Sequence, residues 1–226
     1  MDDADYDPEA YGGWQPPSGV AVGVGEDASD VYVEQSTDRT KLAAQGEQWT
    51  RRYYERCIFV DADMSGLLTT NCTFVGCDFT RADLTHSVHE RSIFVDCEFR
   101  AAGLTSARFE ECRLAGSVFD EAAMGGISFR GGDLSSVSLR DAELSGIDLT
   151  GAVLYGANLA RADFGDATLV GADLRDVQLE RTNFARADLQ GAQLGGFDAM
   201  QADLTGARVD PEQAIELAKA FGVIVG

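Results

Sequence analysis

The residues best equipped for chemistry in this chain are two histidines and five cysteines. His86 and His89 stand in HSVH, a spacing that would suit a metal ion, and Cys57, Cys77 and Cys97 recur at intervals of twenty. A metal centre needs such groups to converge. Nucleophilic catalysis needs a histidine beside a serine or cysteine, and acid–base work needs paired carboxylates. Serine and threonine are plentiful, but none has a histidine partner in the pattern, and Asp and Glu recur periodically instead of gathering in pairs. No nucleophile elbow, phosphate-binding loop or dinucleotide fingerprint occurs. Whether the histidines and thiols meet depends on the element that carries them.

That element is set by a beat of five. In GADLRDVQLERTNFARADLQGAQL the residues Leu174, Leu179, Phe184, Leu189 and Leu194 are evenly spaced, which neither a helix nor a flat strand would place on one side. Stepping by five from Phe59 to Val209 meets an apolar anchor without one insertion, and only Thr69, His89 and Ala199 depart from Leu, Phe, Met or Val. Two places before the anchor the residue is usually small, as at Ala62, Cys72, Cys77, Ala82 and Ala157. One place before it stands Asp, Asn or another polar residue. Two places after it Gly recurs, as at Gly146, Gly151, Gly156, Gly171 and Gly191. Fixed-period self-similarity of this kind is the mark of a solenoid.

A coil that turns a corner every five residues closes a square in twenty. Anchor and small residue point inward, and glycine after the anchor suits a type II corner with positive φ. Like should then stack on like twenty residues apart. Phe59, Phe79, Phe99 and Phe119 do so, as do Phe74 and Phe94, Phe109 and Phe129, and the cysteine column. At the strand spacing the repeats make a rod about 37 Å long. On this frame His86 sits at an outer corner, His89 on another face, and the cysteines on the wall opposite His89. They diverge, so the thiols read as core filling and neither a metal nor a cofactor is expected.

The pentads ANLAR, ADFGD, ADLRD and ADLQG resemble the motif A(D/N)LXX of the pentapeptide-repeat proteins, over residues 59–209. The resemblance implies an all-β solenoid, a right-handed quadrilateral β-helix, here with a short C-terminal α-helix. The expected organisation is an acidic, disordered N-terminal tail over 1–45, a capping coil over 46–58, repeats over 59–209, and a capping and dimerisation helix with its tail over 210–226. Within the tail, AVGVGEDASDVYV has the alternation of a small hairpin as a second possibility. In DPEQAIELAKAFG, Asp210 reads as N-cap, Pro211 as the first helical residue and Gln213 as the partner in a capping box, with Gly222 as the stop. Ile215, Ala218 and Phe221 are expected over the last coil, leaving Leu217, Val223, Ile224 and Val225 exposed. Ile215, Leu217, Phe221, Val223, Ile224 and Val225 together form the expected tail-to-tail homodimer surface. At Thr69 and His89 a local bulge is expected to turn Leu68 and Val88 inward.

With 38 acidic against 18 basic residues, the net charge of −20 opposes direct binding to nucleic acid. No apolar run approaches membrane-spanning length, MDDADYDPEA does not read as a signal peptide, and an odd number of cysteines fits a reducing cytoplasm. Catalysis is not expected; the surface is what remains. Just before the anchors, the face of Met64 and Leu84 carries Asp63, Asp83, Glu143, Asp163 and Asp203, and its neighbour carries Asp78, Glu98 and Asp198. The other two faces hold Asp133, Asp148, Asp173 and Asp188, diluted by Arg108, Arg113 and Arg208. A straight rod with spaced carboxylates imitates duplex DNA, and a tail-to-tail pair extends it to about 75 Å. The resemblance to the quinolone-resistance and gyrase-protecting branch implies a DNA mimic that binds a type II topoisomerase, DNA gyrase. No projecting loop interrupts residues 59–209, which departs from members whose protection depends on loops. The alternative is an interaction scaffold with a different partner, for which Tyr155 and Met200 are outward-facing contact candidates.

Overall fold

One corner explains the whole coil. Ala62 N–H donates to Phe59 C=O at 3.1 Å, and Asp61, third in that turn, has φ 55°. This is the geometry of a type II turn, in which the third residue is left-handed. Gly146, Gly151 and Gly171 fill the same corner position at φ 71°, 68° and 68°. Many corners nonetheless carry side chains there, including Arg81, Ala101, Arg161 and Arg186. Left-handed backbone costs an L-residue about 1–2 kcal/mol, so the ladder between coils must over-determine each of these corners.

The computed structural model describes residues 32–224, which form a four-walled solenoid of parallel coils with a C-terminal helix. Residue pairs twenty apart are bridged along most of the rod, from Asp38 with Ile58 to Asp188 with Arg208. On two walls the bridges lengthen into sheets. One contains Tyr32–Gln35, Arg52–Glu55, Thr73–Val75 and Ile93–Val95; a second contains Gln48–Thr50, Leu68–Thr70, Val88–Glu90, Arg108–Glu110 and Ser128–Arg130. A short pair, Thr182–Asn183 with Ala202–Asp203, lies near the far end.

The core is a set of side-chain columns. Phe59, Phe79, Phe99 and Phe119 stack with centroids 5.0, 4.9 and 4.8 Å apart and nearly parallel planes, so each ring repeats the coil rise. Phe74 lies 4.6 Å from Phe94. Leucines such as Leu139, Leu149, Leu159 and Leu169 continue the buried columns. The five thiols are buried and fill the small positions, donating to carbonyls as Cys77 Sγ does to Tyr54 at 3.5 Å. Near the far end, Phe197 occupies a small position and Ala199 an anchor position, and both are buried. Large and small have exchanged places there while the interior stays filled.

Three expectations need correction. The solenoid already includes Tyr32: residues 32–45 belong to a coil, so the boundary drawn at 45 does not hold. Tyr32 and Val33 pair in parallel with Arg52 and Tyr53, while the rest of the expected hairpin lies outside the described residues. The anchor register continues upstream through Ala44 to Arg39 and Glu34, and Glu34 is buried in an ion pair with Arg39 at 2.7 Å. The remainder of the tail lies outside the described residues.

The second correction concerns Thr69 and His89. No bulge is present: Leu68↔Val88 and Thr69↔His89 keep regular register, with both polar side chains inside and Leu68 37% exposed. A mutual hydrogen bond of 2.8 Å between Thr69 Oγ1 and His89 Nδ1 lets them stay there.

The third concerns the helix, Pro211–Ala220. Its capping box forms as expected, but Gln213 and Leu217 face the last coil while Ile215 and Phe221 point outward. Gln213 Nε2 donates to the carbonyls of Leu189 and Ala192, both at 2.7 Å, and this polar anchor fixes the helix's rotation. Val223 and Ile224 are exposed, and Val225 lies outside the described residues.

Candidate functional site

The acidic faces are built from one local device. The residue before each anchor faces out, and when it is Asp its Oδ1 accepts from the backbone N–H two residues on. Asp78 does so with Thr80 at 2.9 Å, Asp83 with Thr85 at 2.9 Å, Asp163 with Gly165 at 2.9 Å, and Asp203 with Thr205 at 2.9 Å. Asp63 accepts from both N–H and Oγ of Ser65 and from the Gln45 amide, and Asp198 accepts from Met200 N–H. These are Asx turns, so the corner itself favours a short polar side chain at this place. Asn158 and Asn183 make the same bond, which shows that the corner does not require charge. Glu98 and Glu143 are one methylene too long for it and make no such bond among the described residues.

At two of these corners the turn bond also favours the charged form. Ser65 holds Asp63, and Thr205 holds Asp203, below the usual carboxylate range, because a hydrogen bond to the ionised form favours it. In Asp203 one oxygen is engaged by the corner, whereas in Asp63 Ser65 engages one and the Gln45 amide the other.

Arginine placement separates the faces. Asp63, Asp78, Asp83, Glu143, Asp163, Asp198 and Asp203 form no ion pair among the described residues; of the eight expected carboxylates only Glu98 does, with Arg100 at 2.9 Å. On the other two faces Asp133 pairs with Arg113, Asp173 with Arg175 and Asp188 with Arg208, at 3.4, 2.6 and 3.5 Å. Asp148 there is bound by Thr150 and feels the charge of Arg130. Bidentate corner pairs, Asp61 with Arg81, Asp141 with Arg161 and Asp166 with Arg186, engage further arginines, and Arg81 and Arg161 stand at the corner that the two acidic walls share. The negative charge is thus expressed mainly on two adjacent walls. The columns are not continuous, because Gly103 and Ala123 interrupt the Met64 wall and Ile58, Val118 and Ser138 its neighbour.

The histidines and thiols do not converge; contrary to expectation His89 does have hydroxyl partners, Thr69 at 2.8 Å and Ser87 at 3.0 Å, but all three are buried in the core. His86 occupies an exposed corner at φ 57°, while His89 is buried between Phe94 and Phe109. Burial pushes the thiols of Cys72, Cys77 and Cys112 up, and the neighbouring Cys77 thiol together with burial raises Cys57, away from the reactive thiolate. Tyr155 and Met200 face outward as expected, and the Arg175 guanidinium lies 5.5 Å from the centre of the Tyr155 ring. No described helix is long and apolar enough to cross a membrane.

Comparison with solved structures places two trypsin-treated forms of QnrB1, each described as a plasmid-mediated fluoroquinolone resistance protein, on this fold. Both are 25% identical to the chain, with TM-scores of 0.75 and 0.76, covering 86% of this chain and 97% of theirs. Full-length QnrB1, at 23% identity and a TM-score of 0.73, shares the fold over 86% of this chain and all of its own length. No curated protein matches in sequence. A family model described as a pentapeptide repeat region matches residues 70–149, and one described as pentapeptide repeats matches 133–169, 162–198 and 182–209. Repeat, corner and coil agree with these matches: the chain belongs to the pentapeptide-repeat family.

Proposed function

We propose that this chain is a DNA-mimicking protein that binds a type II topoisomerase, DNA gyrase, and modulates it or protects it from quinolone-type inhibitors. The observation that carries the reading is charge segregation. Seven of the eight carboxylates on two adjacent walls stand without an ion pair among the described residues, while those on the opposite walls are largely paired. A basic DNA-binding surface meeting this rod finds fixed negative points repeated at the coil spacing, and long-range attraction steers the encounter. The likeness to QnrB1 over most of the chain supports the same class of role. The protein acts by binding, without catalysis, in the cytoplasm. It pairs tail to tail with a second copy through exposed Ile215, Phe221, Val223 and Ile224, which doubles the length of the acidic rod.

A second reading, an interaction scaffold for a different partner, draws on exposed Ile58, Val153, Tyr155 and Met200, which give the surface, the second acidic wall included, a mixed character. One experiment separates the two. Purified protein is titrated into a gyrase supercoiling reaction, with and without a fluoroquinolone, at two salt concentrations. The mimic alters one or both reactions, and the effect weakens with salt. The variant Asp63→Asn, Asp83→Asn, Asp163→Asn keeps the corner bond that Asn183 makes and removes three charges; it requires roughly tenfold more protein for the same effect. Asp173→Asn, Asp188→Asn on the paired walls changes little. No effect of the unaltered protein at micromolar concentration defeats the mimic and favours the scaffold.

A further inference from the structure

The ladder between coils has its widest break at one junction; a shorter one near the far end lacks the bonds from Leu179 to Asp198, Asp198 to Val177 and Arg181 to Met200. On the Met64 wall each anchor N–H donates to the coil below: Leu84 to Gly103 at 2.7 Å, Leu104 to Ala123 at 2.8 Å, Leu144 to Asp163 at 2.8 Å. The equivalent bond from Met124 to Glu143 is not formed, nor is the return bond from Glu143 to Ala122. The loss continues around the corner. Gly126 to Ser145, Asp148 to Ile127, Phe129 to Asp148 and Gly131 to Thr150 are all missing among the described residues, although their counterparts one coil away are made. The two remaining walls stay closed at this level, through Phe119 N–H to Ser138 at 2.8 Å and Leu134 N–H to Val153 at 2.8 Å.

Each coil is intact in itself. Ile127 still donates to Met124 at 3.0 Å and Ile147 to Leu144 at 3.2 Å, so the opening lies between coils and not within them. It forms a wedge of about 250 Å³ lined by Met124, Gly126, Ile127, Leu144, Gly146 and Ile147. The sequence supplies a cause. Ile127 and Ile147 are consecutive members of a column of small positions whose neighbours above and below are Ala107 and Ala167. Two branched side chains stacked where alanine fits overfill that corner, and a close-packed interior yields by separating its layers. The anchors beside them also change from Phe119 and Phe129 to Leu139 and Leu149, so ring stacking ceases at the same level.

We propose that the junction between residues 121–131 and 141–151 is a hinge, wedged by Ile127 and Ile147, with the Phe119–Leu139 and Leu134–Leu154 walls as its spine. Solenoid coils interact only with their neighbours, so a junction that lacks half its ladder is where the rod bends. Closure restores the missing bonds; opening leaves them to water. The hinge opens on the Met64 wall, between Asp83 above and Glu143 and Asp163 below, so bending changes the angle between the two acidic stretches. The hinge stands whether or not the partner is a topoisomerase.

Amide hydrogen exchange on the full chain tests it. Met124, Gly126, Phe129, Gly131, Glu143 and Asp148 should exchange more than about tenfold faster than Leu104, Ser106, Leu144 and Gly146. In Ile127→Ala, Ile147→Ala the first set should slow to match the second. A pair Ala123→Cys, Glu143→Cys, oxidised across the junction, should slow Gly126, Phe129 and Gly131 without touching the core, so the test does not depend on the alanine variant folding. Equal protection of both sets in the unaltered protein overturns the hinge. So does a cross-link that fails to form where Asp163→Cys, Asn183→Cys forms one, or that leaves those amides fast.

Discussion

Replacing His89 by phenylalanine should remove one identifiable part of the chain's response to acid. His89 occupies an anchor position, stacked 4.7 Å from Phe109 and edge-on to Phe94 at 5.0 Å. Its hydrogen-bond network fixes a neutral tautomer. Ser92 Oγ donates to Glu90 C=O at 3.1 Å, so across the 3.2 Å contact Thr69 must donate to Ser92. Thr69 Oγ1 then accepts from His89 Nδ1–H at 2.8 Å, and His89 Nε2 accepts from Ser87 at 3.0 Å. A second proton would need a site at Nε2, facing the hydroxyl that donates to it, with no carboxylate against the ring. Burial accordingly pushes the imidazole down to about 3, from 6.5.

The sign follows from the depressed value. Below pH 6.5 the unfolded chain takes up a proton that the folded chain refuses, so stability present at neutral pH is lost as pH falls from 6.5 toward about 3. At 1.36 kcal/mol per pH unit, His89 alone removes about 3 kcal/mol between pH 7 and pH 4. His89→Phe leaves Thr69 and Ser87 short of a partner, which costs about 1–3 kcal/mol at pH 7, but has no proton to refuse. Guanidinium unfolding of both proteins at pH 7, 5.5 and 4 should show the gap between them closing or inverting by pH 4. The carboxylate contributions are common to both and cancel. A gap constant to within about 0.5 kcal/mol across that range would refute the claim that this buried ring is neutral because its surroundings cannot accept charge.

Other outcomes follow from the corners, the cap and the end. Ala101→Gly, at φ 53° and with an exposed side chain, should raise stability by up to about 1 kcal/mol, read as a higher thermal midpoint, because glycine has no penalty in left-handed backbone. Gln213→Ala should destabilise by about 2–3 kcal/mol and speed exchange of the helix amides, since it opens the capping box and strands the carbonyls of Leu189 and Ala192. Phe221→Asp, Ile224→Asp should shift sedimentation toward the monomer while leaving the helix formed, because both side chains point to solvent in the single chain.

The walls were legible from the sequence because the code for them is short: an apolar anchor, a small residue two before it, and a twenty-residue stack that the phenylalanines mark out. The first coil was not. Its anchor places hold Glu34 and Arg39, which satisfy each other, and no apolar pattern announces a buried carboxylate paired with a partly exposed arginine. Thr69 and His89 were misjudged for the same reason, since two polar residues that each look wrong in a core are acceptable when they bond each other twenty residues apart. On the helix, apolar periodicity favoured Ile215 and Phe221 as the buried face. The two hydrogen bonds of Gln213 decided otherwise, and their acceptors lie on a coil more than twenty residues away.

The acidic columns show how far the corner accounts for the charge. Asn158 and Asn183 close the same turn that Asp78, Asp83 and Asp203 close, so the corner is indifferent to charge at this place. An aspartate there adds like-charge repulsion along its column, which the fold relieves on two walls with Arg113, Arg175 and Arg208 and leaves largely unrelieved on the other two. If folding alone set these choices, asparagine at Asp63, Asp83 and Asp163 would be neutral or stabilising and would alter nothing else. The carboxylates act on a partner only if that substitution stabilises the rod, or leaves its stability unchanged, while weakening its salt-dependent effect on gyrase. A variant that folds equally well and acts equally well would make the charge a by-product of the repeat.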